Sequence, residues 1–211
     1  MRTLRALSVR WRVILLTVVS LSCSSSPRAA HAPTQPELRL ALLKRAVVDQ
    51  AVRDTLVEML RSGRQPDSAF VKRMEAVDVD NTNWLKQTVA RVGWPGSAMV
   101  DVDGADAAFL LIQHADHDTA FQQYVLPLLE RGVSEKQVSG EHFALLFDRV
   151  NVAKHRPQRF GTQASIVNGR MAFDPIEDSA HVDERRHAVG LPPISQYARM
   201  LDSIYIGSAH K

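Results

Sequence analysis

The stretch that most constrains the fold is Ala107 to Asp118, Ala-Ala-Phe-Leu-Leu-Ile-Gln-His-Ala-Asp-His-Asp. It is the most apolar run after the N-terminal leader, and it turns polar within one helical turn. Ala105, Ala108, Ile112 and Ala115 fall on one seam at helical spacing, and Phe109 to Leu111 fill the sides. A helix apolar nearly all round belongs inside a core. Gly104 and Asp106 allow it to start just upstream. Gln113 and His114, one turn below Phe109 and Leu110, then point into the interior or its rim. Left unsatisfied there, an amide or imidazole costs about 1–3 kcal/mol, so partners must come from elsewhere in the chain. At this helix end the dipole favours a protonated imidazole while burial opposes it.

The rest of the chain supplies the layers around this helix. Glu37 to Ser62 reads as a long amphipathic helix, with Leu38, Ala41, Leu42, Val48, Val52, Leu56 and Met59 on its inner side and Gly63 to close it. Asp49 and Arg53, four apart, read as a surface ion pair worth about 0.3–0.5 kcal/mol. Pro66 to Val77 and Trp84 to Val92 are two further helices, the second capped by Asp80 or Asn81. Pro95 forces Trp94 out of helical conformation, so Trp94 to Ser97 is a turn. Trp94 is a core plug or a pocket wall. Asp118 caps a helix over Thr119 to Arg131 that Gly132 stops. Ser134 with Gln137 resembles a capping box. Phe143, Leu146, Phe147 and Val150 make the seam of a helix over Glu141 to Val152, interrupted by Asp148 and Arg149. Asn168-Gly169 between Ala164–Val167 and Arg170–Phe173 signals a β-hairpin. Val182 to Val189 and Ile194 to Tyr205 are the last helices. The expected fold is mainly α, one helical domain over residues 37–211 with one small β-hairpin at about residues 164–173.

Residues 1–22 have the pattern of an export signal. Arg2, Arg5, Arg10 and Arg12 precede a short apolar segment, Val13 to Leu21, below the roughly 20 residues a spanning helix needs. Leu21-Ser22-Cys23 then resembles a bacterial lipobox, with Ser20 departing from the usual Leu. Cleavage after Ala30-His31-Ala32 is the rival, set far from the apolar segment and followed by Pro33. Cys23 is the only cysteine, so an exported chain cannot use it for an internal disulfide. The expected partner is therefore a membrane, through a lipid anchor at Cys23, with residues 23–36 as a flexible tether and the domain facing the periplasm or cell exterior. The leader holds four of the 26 Lys and Arg and none of the 23 Asp and Glu. The remainder of the chain carries a formal net charge of −1, which leaves no electrostatic footprint for nucleic acid. No protein partner is indicated.

Several landmarks carry a family resemblance: Asp49-Gln50 with Arg53, Gly93-Trp94-Pro95, Gln113-His114-Ala115-Asp116, Phe121-Gln122, Asp148-Arg149-Val150, Phe160 to Gln163, and Arg185-Arg186 before Gly190-Leu191. In this order they resemble the bacterial domain of unknown function 6624, over roughly residues 37–200. The resemblance implies membership and no activity.

Three readings of the polar residues stay open. In one, His114 and Asp148 are catalytic, His114 as general acid or base oriented by the carboxylate, and Gln113, Asp116, Arg149, Thr162, Gln163 and Arg186 bind a ligand. Amides and arginines suit hydroxyl-rich or carboxylate-bearing ligands, which makes an envelope hydrolase of cell-wall sugar or peptide material the alternative function. No Gly-x-Ser-x-Gly nucleophile motif supports it. In the second, the same residues are a satisfied buried network. In the third, His114, Asp116, His117 and Asp118 hold a metal. Asp118 is better used as a cap, His117 faces water and no zinc-type spacing is present, so no metal and no cofactor is assigned. Gly161 stands alone before a strand, which is not a phosphate loop. Gln113, His114, Asp148, Arg149 and Gln163 are expected in one cluster, because buried polar groups on neighbouring helices must find each other.

Overall fold

A computed structural model describes residues 32–167 and 170–206. Cys23 and the Asn168-Gly169 turn lie outside the described residues. In order come α1 (Pro36–Arg61), α2 (Ser68–Val92), α3 (Ser97–Gln113), a 3-10 turn (Asp116–Asp118), α4 (Thr119–Ser134) and α5 (Gly140–Ala153). The chain continues through β1 (Ala164–Val167), β2 (Arg170–Phe173), a 3-10 turn (Ser179–His181), α6 (Val182–Ala188), α7 (Ile194–Leu201) and a π-helical turn (Asp202–Ile206). The protein is mainly α, one helical domain with a small two-stranded antiparallel sheet. Val167 pairs with Arg170 and Ala164 with Phe173, the register a two-residue connection demands.

Helix α3 is the centre. Its largest contact is with α1, and it also packs on α2 and α5. Ala108, Phe109 and Ile112 meet Leu42 of α1, Leu85 of α2, Val125 and Leu129 of α4 and Leu146 of α5 in one apolar core. The helix begins earlier than the apolar run suggests, at Ser97, and is broken at Asp101 (φ 63, ψ 174). Gly104 explains the tight return: a Cβ there would lie 2.8 Å from Val100 Cβ. Trp94 is half-buried against this core and also borders two surface clefts, so plug and wall are both correct.

Three local expectations are corrected. Residues 68–92 form one helix, not two. Its cap is Asp67, which accepts from Phe70 N at 2.7 Å. Asp80 and Asn81 do not cap, because the helix runs unbroken through them; Arg45 of α1 donates to both, at 2.6 and 2.9 Å. Gly132 does not end α4; it is a buried position where Val138 packs closely, and the helix continues to Ser134. Ser134 and Gln137 form no capping box. Ser134 Oγ donates back to Arg131 O, and Gln137 Oε1 accepts from Ala98 N at 2.6 Å, tying the α4–α5 connection to the start of α3. Ser139 caps α5 instead. The last helix gives way to the π-helical turn after Leu201.

Candidate functional site

Helix α1 supplies the heart of the polar cluster. Leu38 and Leu42 are buried, and so are Asp49 and Arg53, which continue the same face by helical spacing. Val48, expected on the inner side, is exposed. The Asp49–Arg53 pair is therefore not on the surface, and this is a correction. Arg53 donates to Asp49 Oδ2 at 3.0 Å and to Asp78 Oδ1 of α2 at 2.7 Å. Asp49 Oδ1 lies 2.7 Å from Nδ1 of His114, just past the end of α3. A chain of four groups, Asp78–Arg53–Asp49–His114, thus crosses from α2 through α1 to α3. Removing one member of such a chain strands a buried charge.

A second charged pair acts on His114 through Arg149. Arg149 of α5 donates from Nη1 to both carboxylate oxygens of Asp116, at 2.8 and 2.7 Å. Gln122 of α4 donates to Asp116 and to the carbonyls of Ile112 and Gln113, so it satisfies the open end of α3. Gln113 is buried beside these groups. His117 is exposed, and Asp118 caps α4 through Phe121 N while pairing with Lys86. Among the described residues no group of three or more His, Cys, Asp or Glu is placed to hold a metal ion.

Burial pushes the His114 imidazole down to about 4, against the opposing pull of Asp49. It is neutral at pH 7 and donates from Nδ1 to the Asp49 carboxylate, which leaves Nε2 as an acceptor. Nε2 is buried without a hydrogen-bond partner among the described residues, as are Arg53 Nε and Arg149 Nε. Burial also raises Asp78 to about 6, although the Arg53 charge draws it back. For Asp116 burial is outweighed by Arg149, and the carboxyl falls below its ordinary value.

Asp148, Thr162, Gln163 and Arg186 belong to a second group. Asp148 bonds not to His114 but to the connection after α5, where it accepts from Arg159 N, Phe160 N, Thr162 N and Thr162 Oγ1 at 2.7–3.1 Å. Burial raises its pKa, and these donors pull it back. Arg186 donates to Phe160 O, Gly161 O and Pro192 O. Gln163 donates to Leu145 O and Thr162 Oγ1. Gln158, which no sequence pattern singles out, is fully buried and holds Gln163 by both its N–H and its carbonyl, and Asp174 by its carbonyl. The expected cluster therefore divides at Asp148 and Arg149. Consecutive helical residues point about 100° apart, so one joins the loop and the other joins His114.

A family of unknown function, DUF6624, matches residues 36–209. The chain belongs to DUF6624. No curated protein and no solved structure matches it. The matched span of the DUF6624 domain takes in α1 to the final turn, and so every group of both polar clusters. Among the described residues of the domain no helix is long and apolar enough to cross a membrane.

Proposed function

We propose that this DUF6624 protein is an exported, lipid-anchored envelope protein whose buried polar cluster is a structural lock between α1, α2, α3 and α5. The anchoring half rests on the basic, short-apolar leader and the single Cys23 after it. Replacing Cys23 with Ala should abolish labelling by a fatty-acid probe; unchanged labelling rejects the anchor.

The observation that carries the lock is enclosure. The side chains of His114 and Asp49 are 1% and 0% exposed, so a substrate has no approach to the imidazole in this conformation. One feature favours the second reading, an envelope hydrolase using His114 as general acid or base. Nδ1 is held by a carboxylate and Nε2 is unpartnered, the tautomeric arrangement of a general base. In that reading the orienting carboxylate is Asp49 and not Asp148. His114→Ala separates the two. The lock predicts a loss of about 1–3 kcal/mol of stability. The hydrolase predicts an unchanged melting midpoint with activity removed.

A further inference from the structure

Away from the sealed cluster, the start of α3, the α4–α5 connection and the first turn of α5 enclose a cleft of about 380 Å³. That is within the range of small-molecule sites, about 300–1,000 Å³. Trp94 and Val102 contribute apolar wall, and Asp106, Ser139 and His142 contribute polar wall. His142 lies flat on Phe109, ring centroids 3.9 Å apart and planes within 5°. The stack fixes the imidazole plane. Its Nε2 stands 3.8 Å from Asp106 Oδ1, too far for a direct hydrogen bond. Both side chains reach solvent, at 14% and 35% exposure.

The gap between these two groups has a useful size. A hydroxyl oxygen can sit about 2.8 Å from each, bonding to the imidazole nitrogen while donating to the carboxylate. The backbone around the cleft is held at a cost. Asp101, next to Val102, and Lys136, in the opposite wall, both have φ near +60°. Such conformations cost roughly 1–2 kcal/mol outside glycine and gather at binding sites. Neither an anion nor an extended peptide fits as well. Asp106 opposes the charge of Lys136, so no net positive field selects an anion. Ser139 Oγ already accepts from His142 N, and Gln137 Oε1 from Ala98 N, which takes two of the wall's acceptors from an extended peptide.

We propose that this cleft binds a sugar ring, its apolar face against Trp94 and one hydroxyl bridging His142 Nε2 and Asp106 Oδ1. The site is separate from the His114 cluster and does not depend on the anchor. Isothermal titration of the full-length protein with glucose, N-acetylglucosamine and the β-1,4-linked disaccharide of each tests it. At least one should bind saturably. Affinity should fall about tenfold in His142→Phe, which keeps the stack and removes the nitrogen, and similarly in Asp106→Asn. Should His142→Phe fail to fold, Asp106→Asn carries the same readout from a part-exposed position. No saturable heat with any of these sugars up to about 50 mM, well above millimolar affinity, overturns the proposal. So does binding that survives both substitutions unchanged, or saturable binding of inorganic phosphate in place of sugar.

Discussion

His114 and His142 are both driven down to about 4 by burial, yet they sit in different surroundings. His114 has a carboxylate at 2.7 Å, two arginines whose charges act on it and almost no exposure. His142 has an aromatic ring beneath it, a carboxylate at 3.8 Å and a cleft in front. The same pKa shift thus accompanies two different roles. What separates a locking histidine from a ligand-facing one is how complete its partners are and whether anything can reach it. Charge points the same way: the His114 group joins α1, α2, α3 and α5 through charged partners, whereas His142 needs no ion to stay in place.

The sharpest way to break this comparison is at Arg53. Arg53→Met should cost about 3–5 kcal/mol in urea denaturation, because Asp49 and Asp78 lose the cation that compensates them. A loss below about 1 kcal/mol would mean that water already reaches the cluster. Next in size is the pH dependence. The unfolded chain protonates His114 near its ordinary 6.5 and the folded chain only near 4. Stability should therefore fall as pH drops through that window, by roughly 3 kcal/mol for this residue, and level off below it. The stability difference between wild type and His114→Gln should accordingly shrink from pH 7 to pH 4. Asp78 runs the other way. Its folded pKa of about 6 exceeds the ordinary 3.8, so its contribution is present in acid and lost as pH rises towards 6 and beyond, and Asp78→Asn should steepen the acid loss. The smallest effect belongs to the cleft. His142→Phe should change the melting midpoint by less than the equivalent of about 1 kcal/mol, since the ring stack on Phe109 persists. A large loss there would make His142 a second lock.

Much of this was legible in the chain. The apolar run 107–112 marks the central helix because no other placement hides it from water. The Asn168-Gly169 pair predicts the hairpin that the strand register bears out. Gln113 and His114 at the end of the run announce buried polar groups. Their partners were not legible. Asp49 and Arg53 read as an ordinary i,i+4 surface pair, although they continue the face of Leu38 and Leu42, which is buried. Asp78 gave no signal, because it sits where two polar neighbours suggested a helix break. Only its chemistry ties Asp148 to an imidazole, and its bonding to the 159–162 backbone depends on a loop conformation that no local pattern encodes. The cleft is not written in any local pattern, because its residues, from Trp94 to His142, come from a turn, a kink and a helix start.

The central claim, a sealed histidine beside an accessible one, is tested most directly by modifying the native protein with diethyl pyrocarbonate and following each histidine by mass spectrometry. Both imidazoles are neutral at pH 7, so reactivity reports access and not protonation. His142 should be modified in the folded protein, and His114 only as the protein unfolds in urea. Modification of His114 in the folded state at the rate of exposed His117 would contradict the lock.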